Sequence, residues 1–590
     1  MSFLHRLKEG RVAPSLRNKL KEQLVADGDT AGKHVNIVED KDVASSTATM
    51  PTPPKEAPRV IIIGAGSRGQ SYARAMVNSR TGIVVGVCEP VEFVRNEFGR
   101  RYVWGPFNRE ARPYEAFNSW PEYIQYEQKR RQRIIDEDLK AGDDEFLGAD
   151  AAFICVLDEM HIHAVKALAP LGLHIMCEKP LATTLKDCIG IYSSIVREWE
   201  TLGKKTIFSI CHVLRYSPHN ILLHKLVRED QVVGDVVSIE HTEPVGWWHF
   251  THSYVRGNWR RSDTSAPSLL TKSCHDIDFL LWMLCSPAPG SSEPPHLPSS
   301  LASTGKLNQF RKARKPKAAG NATNCLRCPI ENSCIHSAKR LYVDKHLEKN
   351  LLGWPVKIVV PEIEDLFRTE GKDVGRARLL EKLSEDYDSD TPDEEVKKKN
   401  WFGRCVWESD NDVCDDQTVT INWEDDPIAK DGSQATNEIS LAGDLGGLND
   451  RGAKSAVLHM ISSTKQICER YGRIFGTKGE IIYDSYAIQV HEFATDTTSV
   501  HRPERKVDGH GGGDDGLVQN FLNAVKDVMD GNLEAEEAQK KHLGCSLEEV
   551  VRSHIAVFAA EQARTTGKTV DWKLFWAKEV EEHVNGKPQT

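Results

Sequence analysis

No stretch of this 590-residue sequence approaches the about 18 consecutive apolar residues that a membrane-spanning helix needs, and its N-terminus lacks the apolar core of a secretory signal. Neither sign of charge dominates. The 76 Lys and Arg residues face 86 Asp and Glu, a formal net of −10, and the two signs are interspersed. A basic face for nucleic acid is therefore not expected. A disulfide framework is not expected either, because a chain without secretory features belongs in a reducing compartment; its 14 cysteines are then thiols, small buried residues or metal ligands. The expectation is a soluble cytoplasmic protein, with no membrane or nucleic-acid partner.

What is present is more specific. The chain is too long for one core, so at least two domains are expected. Residues 1–58 form an extension: SFLHRLKEGRVAPSLRNKLKEQL can fold as a basic amphipathic helix and DKDVASSTATMPTPP is a polar linker. Mitochondrial targeting by this extension is the lesser alternative to a solvated interaction helix. From Val60 the sequence VIIIGAGSRG joins a β-branched strand to Gly64, Gly66 and Gly69 in the spacing G-x-G-x-x-G, with Ser67 and Arg68 inside the loop and a helical pattern following. Gly64 suits a tight turn, Gly66 a close approach of pyrophosphate, and Gly69 close helix packing, with phosphate at the helix N-terminus. A second apolar strand, IVVGVC, ends in Glu89, where a dinucleotide site needs an acid for ribose hydroxyls. An acid there favours NAD, with NADP the alternative because Arg68 can offset repulsion of a 2′-phosphate.

The alternation resumes with AAFICV, the loop Leu157–His163 and a helix, then HIMC followed by Glu178-Lys179-Pro180. GAGSRG, the acid closing the second strand, CVLDEMHIHAVKAL and above all HIMCEKPLA resemble the Gfo/Idh/MocA oxidoreductases. The resemblance implies an α/β fold: a Rossmann dinucleotide-binding domain at 59–181, then a C-terminal α+β domain at 182–590 with an open, mainly antiparallel sheet. It also implies that Lys179 lies beside nicotinamide and the substrate hydroxyl, with Glu178 orienting it. Asp158 would border the nicotinamide ribose, and His163 would open the helix after the fourth strand, as a cap or core contact more than in chemistry. A lysine at the carboxyl end of a parallel strand points into the crevice where such sheets bind ligands, so it can exchange a proton with a hydroxyl.

The aromatic run Trp247, Trp248, His249, Phe250, His252, Tyr254 and Trp259 suits either sugar stacking or half-buried packing. In LLTKSCHDIDFLLWML, apolar residues at helical spacing let Lys272, His275 and Asp278 project toward a cleft. By resemblance His275 matches an acid–base histidine, while Thr271 stands where the family carries aspartate. Lys272 or Asp276 replaces it, and Lys272 is read as a substrate-orienting cation.

An insertion is expected at about 286–400, with Ser286–Pro316 and the charged Asp365–Lys399 as surface excursions. Between them Cys325, Cys328 and Cys334, then His336, give C-x2-C-x5-C-x-H, three or four zinc ligands in one short turn; Cys274, Cys405 or His336 would complete the set. Reduced structural thiols are the alternative. Trp401–Asp416, Thr418–Trp423 and Ser455–Ile461 read as strands, YGRIFGTKGEIIY as a strand pair, HGGGDDG as either a cleft-side loop or a domain connection, and Leu547–Arg564 as a last helix. The expected activity is hydride transfer between NAD(P) and a sugar, polyol or related cyclic carbohydrate, in a homodimer or homotetramer. Redox-assisted glycoside cleavage and a catalytically silent NAD-binding sensor are the alternatives.

Overall fold

The computed structural model describes residues 57–105, 109–136, 148–287, 293–427, 448, 450–505 and 510–581. The helix and linker expected within residues 1–56 lie outside the described residues.

Six parallel strands form the first sheet: β1 (Arg59–Ile63), β2 (Ile83–Cys88), β3 (Ala116–Phe117), β4 (Ala151–Ile154), β5 (His174–Cys177) and β6 (Phe208–Ile210), in the order β3-β2-β1-β4-β5-β6. This is the doubly wound dinucleotide-binding order. Its strands are near-continuous apolar runs because helices cover both faces. Helix α1 (Ser67–Ser79) connects β1 to β2, and α2 (Glu92–Tyr102) follows β2. Next come α3 (Trp120–Asp136), which leads to β4, then α4 (His161–Leu168), between β4 and β5, and α5 (Leu185–Leu202), between β5 and β6. The sheet therefore extends past the expected boundary at 181: α5 and β6 belong to it. Helix α3 is also less solvated than its charge suggests, since Glu127 is fully buried and accepts from Arg130 and Arg131.

Register decides what meets at the sheet's edge. Cys88, Ile63, Ile154, Cys177 and Ile210 lie in one row across five adjacent strands. One step further along each chain stand Glu89, Gly64, Cys155, Glu178 and Cys211, at the carboxyl edge where ligands of such sheets bind.

The second sheet has nine strands and is antiparallel at every pairing except β7 with β10. Its members are β7 (Val236–Pro244), β8 (Ser300–Lys306), β9 (Asp416–Trp423), β10 (Lys454–Ile461), β11 (Tyr471–Gly476), β12 (Gly479–Tyr483), β13 (Ile488–Glu492), β14 (Thr497–His501) and β15 (Val570–Asp571). The expected pair around Thr477-Lys478 is the β11–β12 hairpin. Residues 401–415 are turns rather than the expected strand, because buried Trp401, Phe402, Val406 and Trp407 pack in several directions instead of alternating. Helix α6 (Ser268–Leu284) is buried almost all round, between this sheet and α8 (Leu547–Thr566). Helix α8 in turn packs on α5 and β6, joining the two sheets into one core.

The insertion is not a pair of surface excursions. Residues 300–306 form β8 inside the sheet, and Leu341, Val359, Ile363, Leu379 and Leu383 make a separate core with Trp248 and Phe402. Leu379 and Leu383, four residues apart, bury one face of a helix whose charges cover the other.

Candidate active site

Gly64 has φ +97°, and a Cβ there would stand 2.5 Å from the Cys155 carbonyl oxygen. A Cβ on Gly69 would stand 2.1 Å from the Gly64 carbonyl oxygen, so only glycine lets α1 start this close to β1. Gly66 faces open space, and no side chain caps α1. The free N–H groups at the start of α1, above an uncovered glycine, fit a dinucleotide pyrophosphate. Glu89 accepts from the Ala65 and Val91 N–H groups at 3.0 Å each, which seats its carboxylate against the glycine loop.

Arg68 is not free to meet a 2′-phosphate. Its guanidinium donates to Glu178 Oε1 (2.6 Å) and bidentately to Asp514 (2.8 and 3.0 Å), with Tyr72 adjoining. Asp514 lies in the first turn of α7 (Gly513–Met529), which begins inside HGGGDDG, and also accepts from His510. The glycine run thus delivers an acid to the nucleotide loop. Glu178 is fully buried; burial alone would raise its carboxyl, but Arg68 and then Lys179 hold it below the ordinary value. Its other oxygen accepts from the Lys179 N–H (2.8 Å), so it anchors the lysine's backbone rather than its ammonium.

Lys179 Nζ donates to the Thr271 carbonyl oxygen (2.7 Å), and the Trp259 ring lies 5.8 Å away. The position expected to carry aspartate therefore contributes its backbone. Asp158 accepts from Trp259 Nε1 (2.8 Å); burial raises its carboxyl despite His161 and Lys179. His163 is exposed on α4, which corrects its expected cap or core role. His161, two residues earlier and so on the opposite helix face, is the buried imidazole. Its Nδ1–H donates to the Pro180 carbonyl oxygen (2.7 Å).

Across the cleft, α6 presents Lys272 and His275, 6% and 3% exposed. Lys272 Nζ lies 3.1 Å from Glu243 and 2.8 Å from Cys468 Sγ. Asp276 does not pair closely with His275, from whose Nε2 its Oδ2 stands 3.7 Å away; it bonds His241 and Arg470 instead. Asp278 turns away from the cleft to a bidentate pair with Arg215. Arg470 reaches this group because Tyr471 pairs with Thr242, which sets the preceding residue opposite Glu243.

Together Lys179, Lys272, His275, Arg470, Asp158, Trp259, His249 and Trp354 line a cleft of about 430 Å³. The aromatic run divides: His249, His252, Tyr254 and Trp259 face the cleft, while Trp248 and Phe250 pack in cores. Trp354 and Phe402, from the insertion side, and Arg470 and Cys468 were not singled out from the sequence. Arg470 was hidden because every partner lies far from it in the chain.

Cys325, Cys328, Cys334 and Cys405 line one small cavity of about 10 Å³. Among the described residues, however, no group of three or more His, Cys, Asp or Glu is arranged to hold a metal ion. The Arg256 guanidinium, 3.4 Å from Cys325 Sγ, brings a positive charge where zinc would need ligands only. Cys274 is buried in α6 and the His336 ring packs among Trp247, Phe310 and Trp407, so neither completes a ligand set, and the described residues do not support the zinc expectation.

Behind Lys179, the Leu181 N–H donates to His554 Nε2 (2.9 Å), and His554 stacks on His212 at 5.4 Å. Burial holds His212 down at about 4 and His554 at about 3. Free imidazoles titrate near 6.5, so between that pH and about 4 the unfolded chain binds more protons and stability is lost as the pH is lowered. Thermal unfolding is expected to show Tm dropping steadily across that window, and less steeply in His212→Asn.

Residues 58–202 match the family model described as an oxidoreductase family with an NAD-binding Rossmann fold, GFO_IDH_MocA. Over these residues the chain is similar to the Gfo/Idh/MocA family. A curated relative, 2,7-anhydro-N-acetylneuraminate hydratase of Escherichia coli (strain K12), is 23% identical over 135 residues, 23% of this chain and 33% of that protein. The match thus spans about a third of the relative's length. Levoglucosan dehydrogenase, solved with NADH and levoglucosan, is similar in fold with a TM-score of 0.50 at 13% identity, covering 87% of this chain and 99% of that one. Its complex with NADH alone gives 0.50 at 14% identity over 87% and 99%. The likeness in fold extends beyond the residues matched by the family model to the second sheet. No helix among the described residues is long and apolar enough to cross a membrane.

Proposed function

We propose that this protein is an NAD-dependent dehydrogenase of a sugar, polyol or related cyclic carbohydrate. The observation that carries this reading is Lys179: its ammonium bridges from the edge of the nucleotide sheet to the start of α6, inside the cleft that His275 and Lys272 enter. Gly64, Gly66, Ser67, Gly69 and Glu89 would hold NAD, which supplies a hydride acceptor when bound. Lys179 exchanges the proton of the substrate hydroxyl. Lys272, held between Glu243 and Cys468, orients substrate oxygens. Trp259 and Trp354 offer faces to sugar C–H groups. Glu89 beside the loop, with Arg68 committed to Glu178 and Asp514, supports NAD over NADP.

The test is NADH formation when the purified protein meets NAD and a panel of sugars, polyols and anhydrosugars. Reduction of NAD by at least one member is expected. Cleaved glycoside with no net NADH would favour redox-assisted cleavage, and tight NAD binding without turnover a sensor.

A further inference from the structure

The dehydrogenase reading leaves the task of His275 open between proton acceptor and hydrogen-bond donor. Its hydrogen bonds separate the two. Arg470 Nη2 lies 2.7 Å from His275 Nε2. A guanidinium has donors and no acceptor, so Nε2 must offer its lone pair. In a neutral ring the proton then sits on Nδ1, and Nδ1 is buried without a partner in the protein. A buried donor left unpaired is costly, and this ring lines the substrate cleft.

We infer that Arg470 fixes the His275 proton on Nδ1, so that the imidazole serves as a hydrogen-bond donor to a substrate oxygen and Lys179 alone exchanges the hydroxyl proton. Arg470 is a positioning residue in this arrangement. It is itself held by Glu243 (2.7 Å) and Asp276 (2.8 Å), so its aim at His275 does not depend on bound ligand. The charges facing His275 agree. Lys272 and Asp276 come from its own helix, His241 and Glu243 from β7, Arg470 and Cys468 from the segment before β11, and Lys179 from the edge of β5. Burial, opposed by Asp276 and reinforced by Arg470, Lys179 and Lys272, keeps the ring well below its ordinary pKa and hence neutral. Accepting a second proton would set an imidazolium against an arginine. The ligand this recognises is an oxygen acceptor: a hydroxyl, ring ether or carbonyl beside the reacting carbon.

The inference rests on the dehydrogenase reading for its role, but its first test does not. ¹⁵N-histidine NMR of the full chain, with His275 assigned by its loss in His275→Asn, is expected to show a neutral Nδ1–H tautomer at pH 7. An Nε2–H tautomer or an imidazolium would overturn the inference, whatever the carbohydrate panel gives. The second test uses the panel's best substrate. Asparagine places an amide where Nδ1 stood, so His275→Asn is expected to lower kcat by roughly tenfold, short of the upper end of the about 10²–10⁴-fold range of a lost general base. A folded His275→Asn protein slowed about 10³-fold or more would show that the ring moves protons and would overturn the assignment. Arg470→Gln frees the tautomer and is expected to cost about 10–100-fold in kcat/KM, the range of a lost hydrogen bond to a charged group, while Arg470→Lys, still only a donor, recovers most of it. Equal losses in both Arg470 variants, with the Nδ1–H signal unchanged in each, would reduce Arg470 to a structural part.

Discussion

Lys179→Ala is expected to lower kcat by about 10²–10⁴-fold, the usual contribution of a positioned proton-exchanging group, with NAD affinity changed by less than about threefold. The separation follows from geometry. The lysine's backbone N–H is held by Glu178 Oε2 and the following turn by the His161 Nδ1–H and His554 Nε2, none of which involves Nζ. The glycine loop and Glu89 keep their own bonds. Single-turnover NADH formation measures the first quantity and fluorescence titration of NAD the second. Lys179→Met, which keeps the apolar stem, should behave alike. A kcat within about threefold of wild type in either variant would remove Lys179 from the chemistry.

The second large effect concerns stability. Arg215 and Asp278 form a bidentate pair at 2.7 and 2.9 Å with 4% and 0% exposure, beside the His212–His554 stack and on the helix that carries His275. Arg215→Ala leaves a carboxylate in the interior without its partner, which costs about 3–5 kcal/mol. The urea midpoint is expected to fall accordingly. Replacing both partners together, Arg215→Met with Asp278→Leu, should recover much of the loss, because apolar residues of similar volume are often near neutral at such sites. A loss below about 1 kcal/mol in Arg215→Ala would mean that water reaches Asp278.

What the sequence made legible was local. Gly64 to Gly69, Glu89 and Glu178-Lys179-Pro180 each state their role within a few residues of a strand end, and the parallel sheet then brings those ends together. Long-range pairing hid the rest. Arg470 meets Glu243, His275 and Asp276 only because β11 lies beside β7 in one register. His161 and His163 differ by two positions on a helix, enough to exchange interior for solvent, and spacing alone does not set that phase. The cysteine spacing in the insertion is as suggestive of zinc as local sequence can be, yet Arg256 arrives from another element and occupies its charge. The charged run at 365–399 concealed leucines four apart that build a core.

The row at the carboxyl edge of the first sheet also bears on how the protein can change. Glu89, Gly64 and Glu178 are spaced by the hydrogen-bond ladder, not by loop conformation, so loops can lengthen freely while strand lengths cannot. Inserting one residue within β5 would shift Lys179 by about 3.3 Å and turn its side chain to the opposite face. Variation in substrate is thereby channelled into the segments above the edge, such as the insertion carrying Trp354, while the catalytic coordinate stays fixed to the backbone lattice.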